Sequence, residues 1–226
     1  MVRFIILLAL VFLLVGSVAI SRIASHHLRV TGQKLTALII APRPATTGAY
    51  LEASPFAAKL ITAARAQIGE TLVYDGSYQR LAYPMGDVPR ERGVCTDVVI
   101  RALRDAHGID LQQAVHDDMK SAFSAYPAHW GLTGPDRNID HRRVPNLQTY
   151  LQRRGASLAV SSAPTAYRPA DIVTWQFGPG QPHIGLVSDR LTPDGARPLI
   201  LHNVGAGTRE EDFLFAYPPT GHYRLN

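Results

Sequence analysis

The chain holds one cysteine, Cys95, immediately ahead of the apolar-periodic stretch Thr96-Asp97-Val98-Val99-Ile100-Arg101-Ala102-Leu103. That pattern predicts a helix with the thiol in its first turn, where free N–H groups and the helix dipole favour a thiolate. Far downstream, two apolar runs each carry a histidine: Pro182-His183-Ile184-Gly185-Leu186-Val187 and Leu199-Ile200-Leu201-His202-Asn203. A thiol, an imidazole to take its proton and a second polar group to orient that imidazole make an activated nucleophile. Cys95 is the expected nucleophile and His183 the expected base, at a strand end where Gly185 permits close backbone approach. His202 is the expected orienter of the His183 ring. Asn203 is its rival on the opposite strand face, since neighbouring strand residues alternate sides. The plainer reading of Cys95 is a small buried hydrophobe, and of His183 a strand-end surface histidine.

These residues need helices first and strands after. Ser54-Pro55 is a helix start, cap followed by proline, with apolar residues through Phe56, Leu60, Ile61, Ala64 and Ile68. Thr71 to Tyr74 reads as a short extended piece. The Cys95 helix ends near His107-Gly108, and further helices are predicted over 111–123 and 145–154. The period then changes to strand-like runs at 171–175, 183–188 and 199–203, separated by turns such as Pro193-Asp194-Gly195. The expected class is α+β, with the N-terminal helices packed on an antiparallel sheet.

The bulk properties narrow the class further. The chain has 226 residues, a net charge of +5 and 46% hydrophobic residues, enough for one packed domain plus extra segments. One cysteine excludes an intramolecular disulfide and cysteine-based zinc clusters. The scattered arginine excess suits an anionic surface or polymer such as membrane or cell wall. No basic run with interleaved aromatics points to nucleic acid, and none is expected as a partner. Phe4 to Ile20 is an almost unbroken apolar stretch behind Met1-Val2-Arg3. Residues 1–20 therefore read as a signal peptide or membrane anchor, and 21–54 as a juxtamembrane linker. The folded domain is expected over 55–226, in an exported protein that is periplasmic, inner-membrane anchored or secreted, and monomeric.

The order of parts resembles the NlpC/P60 superfamily of papain-like cell-wall hydrolases: Cys95, then Ala170-Asp171-Ile172-Val173, then His183-Ile184-Gly185, then His202. More closely, residues 56–226 resemble the bacterial DUF1287 family grouped with that superfamily. The segments that carry this are Tyr74-Asp75-Gly76-Ser77-Tyr78, Gly93-Val94-Cys95-Thr96-Asp97, Asn138-Ile139-Asp140-His141-Arg142-Arg143-Val144-Pro145, His202-Asn203-Val204-Gly205 and Gly221-His222-Tyr223-Arg224. The superfamily pattern usually has an aspartate before the cysteine and Ser-Gly after it; here Val94 precedes and Thr96-Asp97 follow. The resemblance implies a papain-like fold, catalytic Cys95, His183 and His202, and hydrolysis of an amide or peptide bond, with peptidoglycan the expected substrate. It also implies that Tyr74 contacts substrate or an oxyanion; an ordinary packed tyrosine is the alternative.

Around this core, Asp97 reads as a helix-cap carboxylate or as a partner for an arginine or histidine. His141, Arg142 and Arg143 read as a site-wall loop. The two arginines could clamp a substrate carboxylate, or belong to an ion-pair network that holds the loop. Asp171 joins them as a supporting or substrate-binding candidate. A metal site built from His183, His202, His141 and Asp171 lacks any tight ligand spacing, so no metal or cofactor is expected. Two other activities remain open: a non-catalytic wall- or peptide-binding module on the same scaffold, and a thiol acyltransferase.

Overall fold

The computed structural model describes residues 51–225. The apolar stretch Phe4–Ile20 and most of the expected linker lie outside them. Residues 51–54 already belong to the fold: the Leu51 N–H donates to the Asp189 carbonyl, and Ala53 packs against the core. Helix α1 (Pro55–Arg65) is capped by Ser54, whose Oγ accepts the Ala57 N–H at 3.2 Å. A parallel two-stranded ribbon follows, β1 (Val73–Tyr74) with β2 (Arg92–Gly93). Then come α2 (Cys95–His107), α3 (Leu111–Ala122) and α4 (Val144–Arg153). Gly108, with φ of 66°, supplies the left-handed residue that ends α2.

A six-stranded sheet completes the domain: β3 (Ser157–Leu158), β4 (Ile172–Gln176), β5 (Pro182–Leu191), β6 (Pro198–Asn203), β7 (Thr208–Glu211) and β8 (Pro219–Tyr223). Its spatial order is β3-β8-β4-β5-β6-β7, with every pairing antiparallel. The class is thus α+β with an antiparallel sheet. Strand alternation splits the apolar residues between two faces. Ile172, Ile184, Leu186 and Leu201 join Val98, Val99, Leu103, Leu60 and Ile61 in the core under α1 and α2. Val173, Trp175, Val187 and Ile200 form a second cluster with Tyr167 and Leu214 on the other face. Each fully buried aliphatic side chain contributes about 1.5–3 kcal/mol. The helices are therefore clamped to one side of the strands that carry the two histidines. Among the described residues no helix is long and apolar enough to cross a membrane.

Candidate active site

Cys95 is the first residue of α2 and 4% exposed. Its sulfur is met by the backbone N–H of Ile184, the residue after His183, by the Tyr74 hydroxyl and by the Thr96 N–H. The β5–β6 pairing runs through Leu186↔Leu201 and Val187↔Ile200 and stops short of Ile184, which frees that N–H for the sulfur. Burial pushes the thiol up to about 11, outweighing these donors. The depressed thiol expected from a helix N-terminus is therefore not what this environment gives: desolvation of the charge wins over the dipole. Burial also raises the Tyr74 phenol, reinforced by the neighbouring sulfur.

His183 and His202 meet on the second sheet face. His183 Nε2 lies 2.8 Å from His202 Nδ1, and His202 Nε2 lies 3.1 Å from Glu211 Oε1. Gly185 makes this possible: a Cβ there would fall 3.0 Å from the His202 Cβ and 2.8 Å from Ile200 Cγ2. The rings of Trp175, Phe177 and Phe213 surround His183 at 5.8, 4.9 and 5.6 Å between centroids. In that wall burial, then the neighbouring imidazole, drives His183 down to about 3. Among the described residues no hydrogen bond joins Cys95 to His183; the link between them is the Ile184 N–H on the sulfur. Asn203 does not reach the histidines. Its Nδ2 donates to the Gly93 carbonyl at 3.3 Å and its Oδ1 accepts the Gly205 N–H, which ties the end of β6 to the residues before Cys95.

The cysteine opens into a cleft of about 760 Å³ whose wall includes Tyr74, Trp130, Arg143, Val144, Gln176 and Pro182. Two interlocked ion pairs build its rim. Arg142 is buried and spends its guanidinium on Asp97 (3.0 and 2.9 Å) and on the Asp75 carbonyl (3.1 Å). Asp97 also accepts the Val94 N–H at 2.6 Å, half of a capping box whose other half Val94 cannot supply. Asp97 thus accepts a backbone N–H at the start of α2 and pairs with Arg142 at once, and Arg142 belongs to the network that holds the loop. Both arginines line the cleft, but Arg143 is the more exposed: it donates to Asp140 at 2.9 Å and stacks 4.0 Å over Trp130. His141 is buried, and desolvation takes it down to about 4. Asp171 is not in the cleft wall; His222 (2.7 Å) and Arg224 (2.6 and 2.7 Å) occupy its carboxylate. His183, His202, His141 and Asp171 are thus not gathered, and among the described residues no three His, Cys, Asp or Glu side chains are placed to hold a metal ion.

Two important residues escaped the sequence reading. Glu211 sits on a strand too short and polar to be read, although its alternation with Arg209, the register partner of His202, puts it on the histidine face. Arg101, fully buried, sits inside an amphipathic helix pattern that gives it no mark of its own. It binds Asp87 (3.0 and 3.1 Å), Thr71 Oγ1 (2.9 Å) and the Val88 and Arg92 carbonyls (3.1 and 2.9 Å). It fastens the loop that carries Tyr74.

Fold and site together define an α+β domain in which a lone cysteine opens a helix at a cleft, one peptide away from a buried histidine pair. The chain belongs to the DUF1287 family, a domain of unknown function whose model matches residues 61–225. It is similar to the uncharacterized protein YijF of Escherichia coli (strain K12), with 55% identity over 161 residues that cover 71% of this chain and 78% of that protein.

Proposed function

We propose that the protein is an exported thiol hydrolase of the papain-like, NlpC/P60 type that cleaves an amide or peptide bond, with peptidoglycan as substrate in the periplasm or at the inner membrane. One observation carries this reading: the only cysteine opens a helix in a cleft wall, with its sulfur against the peptide that follows His183. In the resting site both partners are neutral, so the proton moves as the bond forms. The Cys95 sulfur attacks the substrate carbonyl and its proton passes around the Ile184 peptide at the end of β5 to His183, whose ring lies on the other sheet face. The C–N bond breaks, and the departing amine takes that proton. Water then attacks the thioester and regenerates the thiol. The Tyr74 hydroxyl, beside the sulfur, is a donor available to the developing oxyanion. Of the two cleft arginines, Arg142 is buried against Asp97, whereas Arg143 is the more exposed and meets Asp140 through Nη1, which leaves it donors for a substrate carboxylate. Its presence favours hydrolysis of a charged substrate over acyl transfer along an apolar channel.

Incubation with purified peptidoglycan fragments tests the reading: wild type releases a new amine and Cys95→Ala, folded, releases none. Equal release from both proteins contradicts it. The second reading is a binding module on the same scaffold. It is favoured by the 4% exposure of Cys95 and its raised pKa, and it predicts that Cys95→Ala binds the fragments with wild-type affinity and that neither protein cleaves them.

A further inference from the structure

The histidine pair does not end at His202. His202 is fully buried, and its Nε2 faces the Glu211 Oε1 at 3.1 Å. The surrounding rings of Trp175, Phe177 and Phe213 carry no acceptor, and the one donor among them, the Trp175 N–H, is spent on the Leu214 carbonyl at 3.0 Å. The His202 bond holds the Glu211 carboxyl below its ordinary range, so it is a carboxylate at neutral pH. A carboxylate only accepts.

We infer that Glu211 is a positioning residue that fixes the tautomers of both imidazoles and leaves the free lone pair on His183 Nδ1. In the neutral pair, His202 Nε2 must carry the proton to donate to Glu211, so its Nδ1 is bare. A bare Nδ1 at 2.8 Å requires His183 Nε2 to carry the proton. His183 Nδ1 is then the nitrogen that can receive one. The opposite tautomer pair would set two lone pairs, those of His202 Nε2 and Glu211, against each other. The inference rests on the proposed role of His183 for its use in catalysis, but not for the tautomers themselves.

The test is long-range ¹H–¹⁵N correlation spectroscopy on the full chain with labelled histidine, together with alkylation of Cys95 by iodoacetamide. Wild type should show both imidazoles protonated at Nε2. Glu211→Ala removes a partly exposed side chain and should keep the fold. It should shift the tautomer ratio about tenfold, the worth of one charge-assisted hydrogen bond, and slow alkylation. Glu211→Gln retains an acceptor oxygen and should restore both readouts. A wild-type His183 protonated at Nδ1, or unchanged tautomers in Glu211→Ala, would overturn the inference. Tautomers that follow Glu211 while alkylation ignores His183→Ala uphold the positioning and remove the hydrolase reading instead.

Discussion

At Cys95 two effects of opposite sign meet. The first turn of α2 offers N–H groups and a favourable dipole, worth typically 0.3–1 kcal/mol. Burial opposes them and takes the thiol up to about 11. The spacing of Cys95, His183 and His202 made the chemistry-bearing residues legible, but not their charge state, which depends on walls supplied by Trp175, Phe177 and Phe213 from distant segments. Nor did spacing separate Arg142 from Arg143, adjacent cleft residues of which one is buried against Asp97 and the other stacks over Trp130. Gly185 is the residue on which the pair's spacing turns. Gly185→Ala should cost about 1–3 kcal/mol, as overpacking does, read as a lower denaturant midpoint. A midpoint unchanged from wild type would show that β6 can move aside freely.

At the scale of elements, the sequence period located α1 to α4 and the strands β4, β5 and β6 within a few residues, because each has a long apolar stripe or run. It missed β7 and β8: Thr208-Arg209-Glu210-Glu211 and Pro219-Thr220-Gly221-His222-Tyr223 become strands only through pairing with β6 and β4. The loop between α1 and α2 is also set by tertiary contacts, above all by Arg101. Replacing Arg101 with Met should leave two carbonyls without their donor and Asp87 with only Arg104, 3.4 Å away, and cost up to about 3–5 kcal/mol, the cost of breaking a buried ion pair. Proteolysis should then open first within residues 71–93. Cleavage in other segments, with this loop intact, would show that the loop is held by other means.

For the molecule as a whole, two buried neutral histidines set an acid limit. His183 falls to about 3 and His141 to about 4, from an ordinary value near 6.5. Unfolding lets each take up a proton that the fold refuses. Their contribution to stability is full above about pH 6.5 and is lost as pH falls toward 4 and 3, at up to about 1.4 kcal/mol per pH unit for each group. Denaturant midpoints measured from pH 7 to 4 should drop, and His141→Leu should flatten the fall; an equally steep fall in that variant would show that other groups cause it. The measurement that bears most directly on the account is the rate of Cys95 alkylation by a small neutral reagent across pH, in wild type and in folded His183→Ala. If His183 is the base, wild type reacts at pH 7 about a hundredfold faster than the variant, the scale of general-base assistance. Its rate flattens through neutrality while that of the variant climbs tenfold per pH unit toward 11. Two superimposable profiles, both climbing to 11, would contradict the account and leave Cys95 a buried structural thiol.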